Sequence, residues 1–218
     1  MAEKLIHIFK ELLNLVCPQK CIDCGVPNVI LCDKCLDSFP PPPFFGKQGI
    51  FAATSYDDEI VRKAIRLFKY RGVKTLAAPL AELIRRSLDK ARLFSIFERS
   101  LASVVIIPIP LSPKRLRQRG YNQSELIGHF LSDRLSVRME ADILIKIKDT
   151  PSQVEIKDRK ERLKNLQGAF AVKNPEAIKD KIVILVDDII TTGATLNEAK
   201  KVLKQSGAKK VFGVAVAG

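Results

Sequence analysis

The chain has 218 residues, 46% of them hydrophobic and 28% charged, with 37 Lys and Arg against 24 Asp and Glu for a formal net charge of +13. That length and apolar content suit one α/β domain with an appendage, or two small domains, and exclude disorder as the default state. The charge excess points to an anionic partner (nucleic acid, a phosphorylated small molecule or an anionic membrane surface), and no apolar run approaches the roughly 18–20 residues that a membrane span needs.

The first fifty residues hold five basic and five acidic side chains. The whole excess therefore falls on the remainder, and the chain reads as two units with different tasks. The opening MAEKLIHIFKELLNLV is interrupted by acids and lacks the apolar run and small-residue site of a secretory signal, so a cytoplasmic location is expected. Leu5, Ile8, Phe9, Leu12 and Val16 recur at helical spacing. They predict a short amphipathic helix packed on the neighbouring fold; membrane-surface binding is the other use of such a stripe.

All five cysteines lie between positions 17 and 35. Cys21 and Cys24, then Cys32 and Cys35, make two C-x2-C pairs. Two such turns can aim four thiolates at one point, a tetrahedral shell that suits Zn2+, with iron as the second choice. A disulfide scaffold fits poorly with a reducing compartment. Cys17 is left as a small buried hydrophobe or as a competitor of Cys21, and the doubled spacing favours Cys21. Four protein ligands leave no open position, so the expected role of the metal is structural. A segment this short and poor in large apolar residues would depend on it, at a binding free energy on the order of 10–16 kcal/mol. The run from Pro40 to Pro43 is a stiff spacer. It sets the expected division at a zinc-binding module over 1–45 and a second domain over 50–218.

In the second domain, 50–56 reads as a strand and 58–70 as a helix ending at Gly72. A further helix is predicted over 74–89, its start blurred by Pro79. Residues 102–109 (ASVVIIPI) and 181–187 (KIVILVD) are continuous apolar runs, the mark of strands covered on both faces. Between them lie a predicted helix over 123–135, a strand over 141–147 and a charged loop with some helix over 152–168. A helix over 194–205 and a strand over 209–216 complete the alternation. The expected fold is α/β, a parallel sheet flanked by helices.

Two stretches carry chemistry. The first follows the 102–109 strand and places Lys114, Arg115, Arg117 and Arg119 within six residues of a basic loop, ahead of Gly120, Tyr121, Asn122 and Gln123. Arginine forks match phosphate oxygens two at a time. The second is VILVDDIITTGAT at 183–195: a buried strand ends in Asp187 and Asp188, and a Thr/Gly loop (Thr191, Thr192, Gly193, Ala194, Thr195) opens a helix. In open parallel sheets ligands bind beyond the carboxyl ends of the strands. The loop offers N–H groups, hydroxyls and a helix N-terminus to a phosphate. The aspartates suit sugar hydroxyls, or a hydrated Mg2+ shared with the ligand. Acid pair and cradle together specify a sugar phosphate.

Position by position, the 183–195 stretch resembles the phosphoribosyl-pyrophosphate (PRPP) motif of type I phosphoribosyltransferases. The resemblance assigns Asp187 and Asp188 to the ribose hydroxyls and the Thr/Gly loop to the 5-phosphate. It makes the 114–119 loop the receiver of pyrophosphate, and implies Mg2+ with the ligand. Glycine often stands in that family where Ala194 stands here. Taken with the cysteine pairs, Lys69-Tyr70 before Gly72, the RQRGYNQ string, Thr150-Pro151-Ser152-Gln153, and Arg162, Asn165 and Gly168-Ala169-Phe170 at their spacing, the chain over about 17–216 resembles the ComF family. That resemblance implies a zinc-finger module fused to a phosphoribosyltransferase-like domain and a role in DNA uptake during natural competence. Arg159, Lys160, Arg162 and Lys164 fall where type I transferases carry a closing loop, or form a basic surface loop.

The leading expectation is a DNA-handling factor that binds PRPP or a similar phosphate ligand and tracks single-stranded DNA on its basic surface, with Lys114, Arg115, Arg117, Arg119, Tyr121, Asn122 and Arg162 contacting pyrophosphate or DNA. The alternatives are an active phosphoribosyltransferase of unknown acceptor, and a PRPP-sensing regulator whose zinc module docks a helicase or other DNA-uptake protein. The donor half of a transfer reaction is marked; no aromatic clamp for an acceptor base stands out.

Overall fold

The computed structural model describes residues 19–42, 49–91, 101–148 and 167–218. The N-terminal stripe, Cys17, Thr150 to Gln153, and the Arg159–Lys164 segment with Arg162 lie outside them. The chain divides into two compact units, Met1–Phe39 and Pro40–Gly218. Among the described residues no helix is long and apolar enough to cross a membrane.

In the first unit Lys20 and Pro27 form an antiparallel bridge. Within that turn the Val26 carbonyl accepts from the Cys21 N–H at 2.8 Å, and the Cys21 carbonyl from the Gly25 N–H at 3.0 Å. Cys32 occupies the N-cap of α1 (Asp33–Ser38). Leu31 and Leu36 are buried beside Cys21 and Cys35, a small core among the described residues of this unit.

The second unit is built on a four-stranded parallel sheet in the order β1 (Ile50–Thr54), β6 (Lys210–Ala217), β5 (Ile182–Ile189), β2 (Val104–Pro108). Register is fixed by pairs such as Ile106 with Ile184 and Ile184 with Phe212. Every residue of β2 is buried, as is the first half of β5, because helices cover both faces. On one face Val183 and Leu185 pack with Ala194, Leu196, Ala199 and Leu203 of α6 (Ala194–Gln205). Successive strand residues alternate sides, so Ile184 and Ile106 face the other layer, made by α3 (Ala77–Lys90) and α5 (Gln123–Leu135). Gly128 of α5 lies so close to that face that a Cβ would meet the Met139 sulfur at 2.9 Å and Ile106 at 3.6 Å. Glu82 of α3 is buried. It accepts from Arg85 at 2.7 Å, Arg86 at 2.9 Å and Arg134 of α5 at 3.0 Å, clamping the two helices.

Local chemistry sets the remaining boundaries. α2 (Glu59–Tyr70) is capped by Asp58, whose carboxylate accepts from the Ile60 and Val61 N–H groups at 2.9 Å. A 3-10 turn over Lys74–Leu76 precedes α3, which starts at Ala77; Pro79 thus falls in the first turn, where a missing N–H costs nothing. The segment expected as a basic loop is a helix, α4 (Pro113–Arg119). Ser112 caps it, Pro113 begins it, and Gly120 closes it by donating to the Leu116 carbonyl at 2.8 Å. The strand expected over 141–147 shortens to β3 (Leu144–Lys146) and pairs antiparallel with β4 (Phe170–Val172) outside the main sheet. The sheet edge beyond β2 is met instead by a single bridge between Ile106 and Met139.

Candidate functional site

The four cysteines of the first unit converge. Their sulfurs all lie within 4.8 Å of one another, with Cys24 to Cys32 at 3.6 Å, Cys21 to Cys35 at 3.8 Å and Cys21 to Cys32 at 3.9 Å. A tetrahedron with metal–sulfur bonds of about 2.3 Å has edges of about 3.8 Å. The donor set and its spacing therefore fit, and the cluster could hold a metal ion such as zinc. Burial pushes the Cys35 thiol up, a penalty that a bound cation removes by taking the thiolate as ligand.

In the second unit, the carboxyl end of β5 gathers side chains from three elements. Asp187 is half-buried and its Oδ1 accepts from the Ser124 hydroxyl of α5 at 3.1 Å and from the Asp188 N–H at 2.8 Å. Asp188 is buried and its Oδ1 meets Lys69 Nζ of α2 at 2.7 Å. Burial raises the Asp187 carboxyl above the usual carboxylate range, and the negative charge of Asp188 adds to it; Lys69 and the two hydrogen bonds oppose the rise. One lysine serves two adjacent acids, so the pair retains capacity for hydroxyl donors or a further cation.

Beyond Ile189 the chain turns through Thr191, Thr192 and Gly193 into α6. Gly193 takes a left-handed φ of 72° at the N-cap, a conformation that a side chain would strain. Thr192 Oγ1 accepts from the Ala194 N–H at 3.4 Å. Thr191 is exposed, and Thr192, Gly193 and Thr195 are half-buried. The Ala194 methyl joins the core beneath, so it acts on packing rather than on the open side of the loop. The N-terminus of a twelve-residue helix, three threonine hydroxyls and two carboxylates thus share one sheet rim.

The basic helix α4 exposes Lys114 and Arg117 and half-buries Arg115 and Arg119. Arg119 donates to the Gln123 side-chain oxygen at 2.9 Å and lies over the Tyr70 ring at 5.3 Å. Tyr121 and Asn122 turn inward. The Tyr121 hydroxyl donates to the Phe68 carbonyl and its ring packs at a tilt against Phe68, centroids 5.8 Å apart, with burial raising the phenol's pKa. Asn122 caps α5, accepting from the Ser124 N–H at 3.1 Å and donating to the Ile109 carbonyl at 3.1 Å. Both side chains tie α2, β2 and α5 together. Sequence reasoning assigned no role in the site to Lys69 or Ser124. Their only signals were the Lys69-Tyr70 pair before Gly72 and the position of Ser124 just after the RQRGYNQ string.

Residues 122–217 match the family described as phosphoribosyl transferase domain. The chain is 31% identical to Competence protein F of Haemophilus influenzae over 214 residues, covering 94% of this chain and 90% of that one. It is 28% identical to DNA utilization protein YhgH of Escherichia coli K12 over 199 residues, 90% of this chain and 81% of that one. It is 40% identical to Competence protein ComFC of Streptococcus pneumoniae over 105 residues, 48% of this chain and 44% of that one.

Proposed function

The chain belongs to the competence protein F (ComF) family, and from that premise we propose that it is a cytoplasmic competence factor that binds PRPP with Mg2+ and handles single-stranded DNA during DNA uptake. The observation that carries the PRPP reading is that Asp187 and Asp188 stand at the carboxyl end of β5 and the 191–195 loop follows directly into the N-terminus of α6. In this reading the aspartates receive the ribose hydroxyls and the loop receives the 5-phosphate. Lys114, Arg115, Arg117, Arg119 and Arg162 are assigned to contact with pyrophosphate or DNA. Mg2+ neutralises the pyrophosphate oxygens when bound. Lys69, paired with Asp188 at 2.7 Å, keeps its carboxylate aimed until the ligand arrives. The net charge of +13 exceeds what one small anion uses, which supports a nucleic-acid partner as well. In the same reading Zn2+ staples the cysteine module, leaving it free to dock a helicase or another DNA-uptake protein.

Titration calorimetry with PRPP and Mg2+ tests the site. Wild-type binding in the micromolar to millimolar range is expected, with loss in the Asp187→Asn/Asp188→Asn double variant; equal affinity in that variant removes the aspartates from the site. Binding of a single-stranded oligonucleotide across a salt series tests the second half. Absence of binding at low ionic strength sinks it.

A further inference from the structure

Apart from the Arg119 guanidinium over Tyr70, the outward face of α2 is used by nothing described so far. Arg62, Arg66 and Tyr70 succeed one another at four-residue spacing along one side of the helix, and Arg71 follows at its end. Together with Glu59, Lys63 and Leu67 they line an open cleft of about 610 Å3. Among the described residues no carboxylate lies within ion-pair distance of Arg62, Arg66 or Arg71. Tyr70 is 66% exposed, although its neighbours Phe68 and Lys69 turn inward to the core and to Asp188. The Arg119 guanidinium lies over the ring, holding it in place while most of its surface stays open to solvent.

We infer that this face is a docking track for single-stranded DNA, with Tyr70 as the platform on which an unpaired base stacks and Arg62, Arg66 and Arg71 as its phosphate contacts. The inference rests on the DNA-handling reading above and gives it a place. Charges set one helical turn apart suit a polyanion rather than a compact metabolite. A bare tyrosine ring among them suits bases whose faces are free, and bases within a duplex have theirs covered by neighbours. A guanidinium behind the ring adds cation–π attraction and lowers the entropy lost on stacking. The track also adjoins the phosphoribosyl site through consecutive residues. Lys69 holds Asp188 and Tyr70 holds the strand, so a base on Tyr70 sits one residue along the chain from the proposed sugar-phosphate pocket.

Fluorescence anisotropy with a labelled oligo-dT, on the full chain, tests this. Arg66→Glu/Arg71→Glu is expected to weaken binding at least tenfold at low salt, and to flatten the slope of log affinity against log salt by about 0.7 per lost contact. Tyr70→Ala is expected to weaken it about tenfold with the slope unchanged, while Tyr70→Phe retains affinity. Lys209→Glu/Lys210→Glu, the same charge change at the amino end of β6 and exposed, is expected to shift affinity by twofold or less. PRPP binding in each variant reports an intact fold. If the wild type itself binds no single strand, the DNA-handling reading falls and the track falls with it. If the wild type binds and the α2 variants bind equally well, only the track is overturned. If a duplex of equal length binds as tightly as the single strand and Tyr70→Ala changes neither, the stacking role is overturned.

Discussion

Glu82 and Asp187 are both acids set among apolar neighbours of the same unit, and their surroundings drive them in opposite directions. Three arginines converge on Glu82 and bring its carboxyl down to about 2, the hydrogen bond from Arg85 contributing most and burial opposing it. Asp187 shares one lysine with a second acid, and burial lifts it. A carboxylate saturated with cations has nothing left to offer a ligand and works as a clamp between helices. One left short of positive charge is costly for the fold but keeps its lone pairs for a substrate. Saturation, rather than burial, separates the structural acid from the candidate functional one.

That contrast can be broken most sharply at Glu82. Glu82→Gln should lower stability by about 2–3 kcal/mol, or several degrees in Tm, while PRPP affinity stays as it was. Because the folded pKa is depressed, this contribution is fully present above the unfolded value near 4.5 and is lost as pH falls toward 2. Urea melts of wild type and variant should therefore converge in acid. Next in size is Lys69→Ala, which strands two adjacent carboxylates. A loss of about 2 kcal/mol is expected, with much of it restored by adding Asp188→Asn; no rescue in the double variant would show that Lys69 acts through other partners.

Asp187→Asn should move the other way. A raised folded pKa means that the ionised acid costs stability above the unfolded pKa, and that the cost disappears as pH falls below it. The variant should be more stable by on the order of 1–2 kcal/mol at pH 8 and equal to wild type near pH 3.5, while losing PRPP binding. A destabilised Asn variant at pH 8 would mean that Asp187 is as well satisfied as Glu82. The smallest effect belongs to Ser124→Ala, about 1 kcal/mol or less. It should shift the pH midpoint of PRPP binding upward, since the Ser124 hydroxyl favours the ionised form of Asp187.

The sequence foretold the parts whose signals are local. The apolar runs became β2 and β5, the doubled cysteine spacing became a convergent cluster, and the Thr/Gly loop opens α6 where its residues said it would. Helix α4 was hidden because its seven residues carry four cations and no apolar stripe. Only its caps, Ser112-Pro113 and Gly120, could have revealed it. β3 and β4 are three residues each, too short for alternation to show. Half of the Glu82 clamp was legible, since Arg85 and Arg86 follow at helical spacing. Arg134, like the pairing of Lys69 with Asp188 and of Ser124 with Asp187, is a meeting of distant segments that no periodicity encodes.

The chain has no tryptophan and only three tyrosines. Two of them stand at the end of α2: Tyr121 is sealed against Phe68, and Tyr70 stands in solvent beneath Arg119. Intrinsic ultraviolet emission is therefore a built-in, label-free gauge. A base settling on Tyr70 should quench the solvent-facing fraction, whereas loosening of the joint around Tyr121 should shift the shielded one, so occupancy and integrity can be followed in a single cuvette.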